Sequence, residues 1–170
     1  MTPLNLLYSI DKMNRDKLLN MSDEELLSQC KTDHFIATGN GGQKRNKTSS
    51  AVRLSLKDTC ISVTASEDRQ QSVNKKRAIR KMRMAVAMEM REDTQPWKGQ
   101  IDMNPKNSQY PIFIACLTDQ LFAKNWQVSE VAKSMELSTG KLIKIISKDD
   151  TLWQFVNKER QRNGYKALKK

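Results

Sequence analysis

The residues best suited to chemistry in this 170-residue chain are Gly41, Gly42 and Gln43, set in Thr38-Gly39-Asn40-Gly41-Gly42-Gln43-Lys44-Arg45-Asn46-Lys47. Three glycines within four positions strip side chains from a short loop, so its backbone can adopt φ > 0 and press against a ligand. Gln43 then presents a neutral amide, and Lys44, Arg45 and Lys47 follow with charges suited to phosphate. No carboxylate, histidine or cysteine lies in the stretch. Its chemistry must therefore work by positioning, with backbone N–H groups and an amide held against a reacting atom, and not through a strong acid or base. His34 is the one histidine, and a solitary strand histidine reads as a packing or hydrogen-bonding residue.

Thirty Lys and Arg against nineteen Asp and Glu give a formal charge of +11. The excess is local: residues 1–30 carry −2, 31–94 carry +7, 95–157 carry +1 and 158–170 carry +5. A polyanion is the natural partner, nucleic acid first among them; the plainer alternative is a basic surface kept for solubility. Cys30, Cys60 and Cys116 are odd in number and form no CxxC pair, which argues against a zinc site or a disulfide framework. No metal or cofactor is called for. The first residues are too short and too acidic a stretch for a signal or transit peptide, no apolar run reaches membrane-spanning length, and a cytoplasmic monomer is expected.

The elements that must position the loop can be read around it. Ser22-Asp23-Glu24-Glu25 before Leu26-Leu27 is a capping box opening a short acidic helix, within a helical extension over residues 1–29. A short strand over 33–38 feeds the loop. Val52, Leu54 and Leu56, then Ile61, Val63 and Ala65, alternate with polar residues across a short turn at Asp58-Thr59, which predicts a β-hairpin with one buried face. From about 69 to 91 the period changes: Ile79, Met82, Val86 and Met90 form one stripe of a long helix laid on that face. Lys75, Lys76, Arg77, Arg80, Lys81 and Arg83 crowd its other sides as a candidate phosphate-binding edge.

Residues 93–109, with Pro96, Gly99 and Pro105, show no periodicity and read as a linker. The remainder, 110–164, is helical in pattern. Within it, Val128 to Ile145 resembles a helix-turn-helix: Ala132 is small at the crossing, Leu137 lies in the turn, Ser138 caps the second helix, and Glu136 stands where a turn glycine is usual. A last helix starts at Asp149-Asp150 and ends near Gly164, followed by a basic tail at 165–170. The expected fold is α+β, a small sheet with a packed long helix followed by a small all-helical, helix-turn-helix-like domain.

The surroundings of Gly41-Gly42-Gln43 are specific. Thr38 to Gln43, Asn46, Ser50-Ala51-Val52-Arg53-Leu54, and Asp68-Arg69-Gln70-Gln71 with Asn74 and Ala78 resemble the peptidyl-tRNA hydrolase domain of class I peptide-chain release factors, over about residues 30–92. Asn40 departs from the proline usual there, and Lys44 and Arg45 replace a common histidine and valine. No long helical or codon-reading domain precedes residue 30, and no stop-codon tripeptide motif is evident. Stop-codon reading is not expected, and the chain is similar to the short, codon-independent relatives that rescue stalled ribosomes, except that they carry a basic tail where this one has a helical domain and then a basic tail.

The resemblance implies attack of water on the ester joining a nascent peptide to its tRNA, in the peptidyl-transferase centre of the large ribosomal subunit. Gly41, Gly42 and Gln43 would be the catalytic residues. Lys44, Arg45, Asn46, Lys47, Arg53, Arg69, Lys75, Lys76, Arg160, Arg162, Lys169 and Lys170 are the expected RNA contacts, and a structural ion pair is the alternative for Arg53. The resemblance also makes the Gln43 amide a methylation site and a glutamine methyltransferase a partner, beside the ribosome, ribosomal RNA and peptidyl-tRNA. Two other readings stay open: a non-catalytic ribosome-, RNA- or DNA-binding regulator that docks through this domain, and hydrolysis of a different RNA ester.

Overall fold

The computed structural model describes residues 14–36, 49–93 and 96–169. The loop residues Gly41 to Lys47 and the tail residue Lys170 lie outside them. The chain divides into two compact units between Glu89 and Met90.

The first unit is a three-stranded antiparallel sheet carrying one long helix. Strand β1 (Cys30–Phe35) pairs with β2 (Ala51–Leu56), and β2 pairs with β3 (Ser62–Ala65). In this register Val52, Leu54 and Leu56 share a face with Val63 and Ala65, and helix α3 (Gln71–Glu89) packs on it through Ala78, Ile79, Met82 and Val86. The opposite face is polar, with Arg53 opposite Thr64 and Ser55 opposite Ser62. This one-sided sheet is what alternating residues on paired strands dictate.

The hairpin and the long helix appear where the alternation and the apolar stripe predict them, except that the helix ends at Glu89 and leaves Met90 out of the stripe. The first strand does not: it begins at Cys30, three residues before its expected start at 33. The reason is physical. β1 is an edge strand in which only Cys30 is buried, so burial leaves it no strict alternation to read.

Two short helices complete the unit, α1 (Arg15–Asn20) and α2 (Asp23–Ser28), packed on α3 and β1. The capping box is present in full: the Ser22 amide donates to Glu25 Oε2 at 2.8 Å and the Glu25 amide to Ser22 Oγ at 3.2 Å. The first of these bonds, ahead of the Ser22 hydroxyl, holds the Glu25 carboxyl below its usual range. Arg83 is the clasp between helices. Its guanidinium donates to the Leu19 and Met21 carbonyls at 3.0 and 2.6 Å and to Asp23 Oδ1 at 2.9 Å, which satisfies the C-terminus of α1.

The second unit is helical: α4 (Tyr110–Ala123), α5 (Val128–Ser134), α6 (Thr139–Ile146) and α7 (Asp150–Arg162). Three residues of the stretch expected to be a linker make contacts within this unit. Trp97 lies 5.4 Å from the Phe113 ring, Met103 is buried, and Asp102 pairs with Lys148. Proline, glycine and missing periodicity marked it as irregular, which it is; they carried no information about burial.

Three helix ends in this unit share one device. After α4, Trp126 N–H donates to Leu121 O and Asn125 N–H to Phe122 O. After α5, Leu137 N–H donates to Ala132 O and Glu136 N–H to Lys133 O; after α7, Tyr165 N–H donates to Arg160 O and Gly164 N–H to Gln161 O. Each is a Schellman closure with a left-handed residue, at φ 49° for Asn125, 55° for Glu136 and 81° for Gly164. Glu136 thus occupies the turn position that glycine would fill, in the backbone conformation that favours glycine.

Candidate functional site

The register of β1 against β2 defines the base on which the Gly41-Gly42-Gln43 segment is mounted. Phe35 pairs with Ala51, so the chain leaves the sheet and returns to it at adjacent points on neighbouring strands. Gly41, Gly42, Gln43, Lys44, Arg45, Asn46 and Lys47 belong to the connection and lie outside the described residues. The returning side is held from α3. Gln71 Nε2 donates to Ser49 O at 3.0 Å, and Asn74 Nδ2 donates to Ser50 O at 2.8 Å. Asn74 is fully buried, and it also donates to Asp68 O at 2.9 Å and accepts from Asp68 N at 2.9 Å. Two acceptors on one end of the amide and a donor on the other fix its orientation. Asp68 in turn accepts from the Gln70 amide and lies 3.5 Å from the Arg77 guanidinium.

The cations expected to meet RNA fall into two groups. Arg53, Arg69, Lys75 and Lys76 are exposed. Arg53 projects from the polar face of β2 with its guanidinium 5.1 Å from the Phe35 ring centroid, beside the point where the chain leaves the sheet. Lys75, Lys76 and Arg80 have no ion-pair partner among the described residues. The other charges of α3 are committed locally: Arg77 to Asp68, Lys81 to Glu67 and the Thr64 carbonyl, and Arg83 to the end of α1. His34 is exposed on β1 opposite Val52, its ring without a hydrogen-bond partner among the described residues.

The C-terminal cations also divide. Arg160 is an internal clasp: Nη1 donates to Trp126 O at 2.6 Å, Nη2 to Lys166 O at 3.3 Å, and the guanidinium lies 5.1 Å from the Tyr165 ring. Burial pushes its pKa down. Of the expected RNA contacts among the described residues it is the one whose Nη1 and Nη2 both bond backbone carbonyls of its own unit. Arg162 is exposed beside Glu159 at 2.7 Å, Lys169 is exposed, and Lys170 lies outside the described residues. The tail folds back on α7, where Leu168 N–H donates to Asn157 Oδ1 at 2.6 Å.

A family model described as RF-1 domain matches residues 21–110. The chain belongs to the RF-1 domain family. The match takes in α2, the whole sheet and α3, and reaches beyond the resemblance read from residues 30–92 at both ends. Relatives of this RF-1 domain are peptide chain release factor 1 proteins. The one from Carboxydothermus hydrogenoformans is 38% identical over 66 residues, covering 39% of this chain and 18% of its own. That from Enterococcus faecalis is 31% identical over 90 residues, covering 53% and 23%, and that from Caldicellulosiruptor bescii 49% over 51 residues, covering 30% and 14%. The chain spans about a fifth of the length of the first curated relatives it matches. No solved structure matches it.

Within the RF-1 domain, Asn74 and Gln71 are the residues to which the sequence assigned no role. They stood in the motif block after the hairpin, but only the fold brings them to the Ser49 and Ser50 carbonyls. Among the described residues no cluster of His, Cys, Asp or Glu could hold a metal ion, and no helix is long and apolar enough to cross a membrane.

Proposed function

We propose that the chain is a release-factor-like peptidyl-tRNA hydrolase that acts on the ribosome without reading a stop codon. The observation that carries the hydrolase reading is Gly41-Gly42-Gln43 inside an RF-1 domain. Glycines at 41 and 42 let the backbone approach the ester without a Cβ clash, and the Gln43 N–H donates to the developing oxyanion. One preorganised donor of that kind is worth about 3 kcal/mol in the transition state. The Gln43 side chain orients the attacking water. Ribosomal RNA and the terminal hydroxyl of the tRNA supply the remaining polar groups, so no protein base is required. Lys44, Arg45, Asn46, Lys47, Arg53, Arg69, Lys75 and Lys76 meet RNA on the side of the catalytic loop, and Arg162 at the end of α7 does so with Lys169 and Lys170 of the tail. The Gln43 amide is the site for a glutamine methyltransferase, to be read as a mass increase of roughly 14 Da, one CH₂.

The test is single-turnover peptide release from ribosomes carrying peptidyl-tRNA. Gln43→Ala and Gly42→Ala each lower the rate about a hundredfold, the cost of lost alignment at a reacting centre, while ribosome binding stays unchanged. Release by the unaltered protein is the same whether the decoding site holds a stop codon, a sense codon or no codon. Undiminished release in both variants would sink the mechanism. A strict stop-codon requirement would sink the codon-independent reading alone.

A further inference from the structure

The two ends of the loop are held differently. At the end of β1, the described hydrogen bonds of Phe35 are those of the sheet ladder, and its ring carries the Arg53 guanidinium. On the returning side, two side-chain amides one helical turn apart on α3, Gln71 and Asn74, bond the consecutive carbonyls of Ser49 and Ser50, just before β2 begins. Ser50 is buried and Asn74 fully so, and Asn74 ties the same point to both backbone groups of Asp68. At position 74 each substitute fails in its own way. Leucine offers no polar group, aspartate no donor for the two carbonyls, and glutamine is a methylene too long for a filled site.

We propose that Asn74 and Gln71 are positioning residues. They lock the returning backbone at Ser49 and Ser50 to α3, and so set the register in which Gln43, six residues earlier, meets its ester. This rests on the reading of Gln43 as catalytic. A displacement of about 1 Å at a reacting centre costs on the order of a hundredfold in rate, so the lock has leverage far beyond its own bond strength. Gln71 is exposed and can be altered without opening the core, whereas Asn74 is also a structural residue of the first unit.

The test therefore leads with Gln71→Ala and Gln71→Glu, the second placing a carboxylate against the Ser49 carbonyl, and adds Asn74→Asp. Three quantities are measured on the full chain: melting temperature, ribosome-saturation kinetics of peptide release, and the rate of tryptic cleavage after Lys44, Arg45 and Lys47 followed by mass spectrometry. For the Gln71 variants the expected result is an unchanged melting temperature and kcat down about tenfold at unchanged KM for ribosomes. Cleavage at the three loop sites rises about fivefold, as expected for one lost hydrogen bond. Asn74→Asp shows the same pattern more strongly, with a lowered melting temperature. Unchanged cleavage and unchanged kcat in both Gln71 variants would overturn the proposal, as would a fall in kcat that only follows melting. If the unaltered protein releases no peptide, the catalytic reading fails separately, and the cleavage rates still decide whether the lock exists.

Discussion

Glu136 and Gly164 sit at the same position of the same helix ending, and each has its own consequence for stability. A non-glycine residue in the left-handed region costs roughly 1–2 kcal/mol, and glycine returns about 0.4–1 kcal/mol of that through the entropy of the unfolded chain. Glu136→Gly should therefore stabilise the second unit by about 0.5–1 kcal/mol, raising its melting temperature by a few degrees. Gly164→Ala should cost a similar amount. No atom lies within 4 Å of a Cβ built on Gly164, so backbone conformation alone sets that cost. Equal melting temperatures for the Gly164→Ala variant and the unaltered protein would contradict it. At this scale the sequence was legible where one residue type has one use. Gly164 announced a helix end and Ser22 with Glu25 a helix start. For Glu136 only its place in the helix-turn-helix pattern pointed to the turn, because a charged residue in a left-handed conformation leaves no trace in composition.

Helix α3 was read as one basic side, and its cations prove to be of two kinds. Lys75, Lys76 and Arg80 face solvent, while Arg83 ends the preceding helix α1 and Lys81 grips β3 at the Thr64 carbonyl. Arg83→Ala should destabilise the first unit by about 2 kcal/mol, since it leaves two half-buried carbonyls without their charged donor. Its exposed contact with Asp23 adds little to that figure. Lys75→Ala, Lys76→Ala and Arg80→Ala should each leave stability within about 0.5 kcal/mol. Together they should weaken ribosome binding and flatten its salt dependence, measured by sedimentation at several ionic strengths. If Arg83→Ala melts normally, the clasp has been misread. Sequence spacing cannot separate these roles: on a helix, i, i+4 and i+7 share a side whatever they face, and Arg83 follows Lys76 and Arg80 at that spacing. Only the placement of α1 tells them apart. Asn74 and Gln71 were hidden for the same reason, because their partners are backbone carbonyls more than twenty residues away.

Across the whole chain, the family match ends at residue 110, while the second compact unit begins at Met90. Of the irregular residues described between them, Met103 is buried and Trp97 packs on Phe113, and Arg91 makes several contacts with the unit's helices. It lies 3.8 Å from the buried Asp119 and 5.9 Å from the Phe122 and Phe155 ring centroids, and donates to Thr118 Oγ1 at 3.3 Å. Arg91 is half-buried and Asp119 fully so, and removing the cation beside a buried carboxylate costs about 1–3 kcal/mol, so Arg91→Ala should unfold the second unit a few degrees early in a thermal melt. An unchanged melt would mean that Asp119 draws its compensation elsewhere. A periodicity argument divides the chain where pattern stops; packing divides it where apolar surface is shared, and Trp97 shares it with α4 through Phe113.

The folded-back tail changes how its charges would act in an encounter. A loose cationic tail searches a wide volume and speeds capture of a polyanion, at the expense of ordering once bound. Here Arg160 grips the Lys166 carbonyl and Asn157 accepts from Leu168, so Lys166 and Lys169 are carried as fixtures of α7. Charges mounted in that way add little to the reach of the molecule. If the partner is RNA, as proposed, they would favour one orientation of approach over others, and the tail would act less as a net than as a rudder.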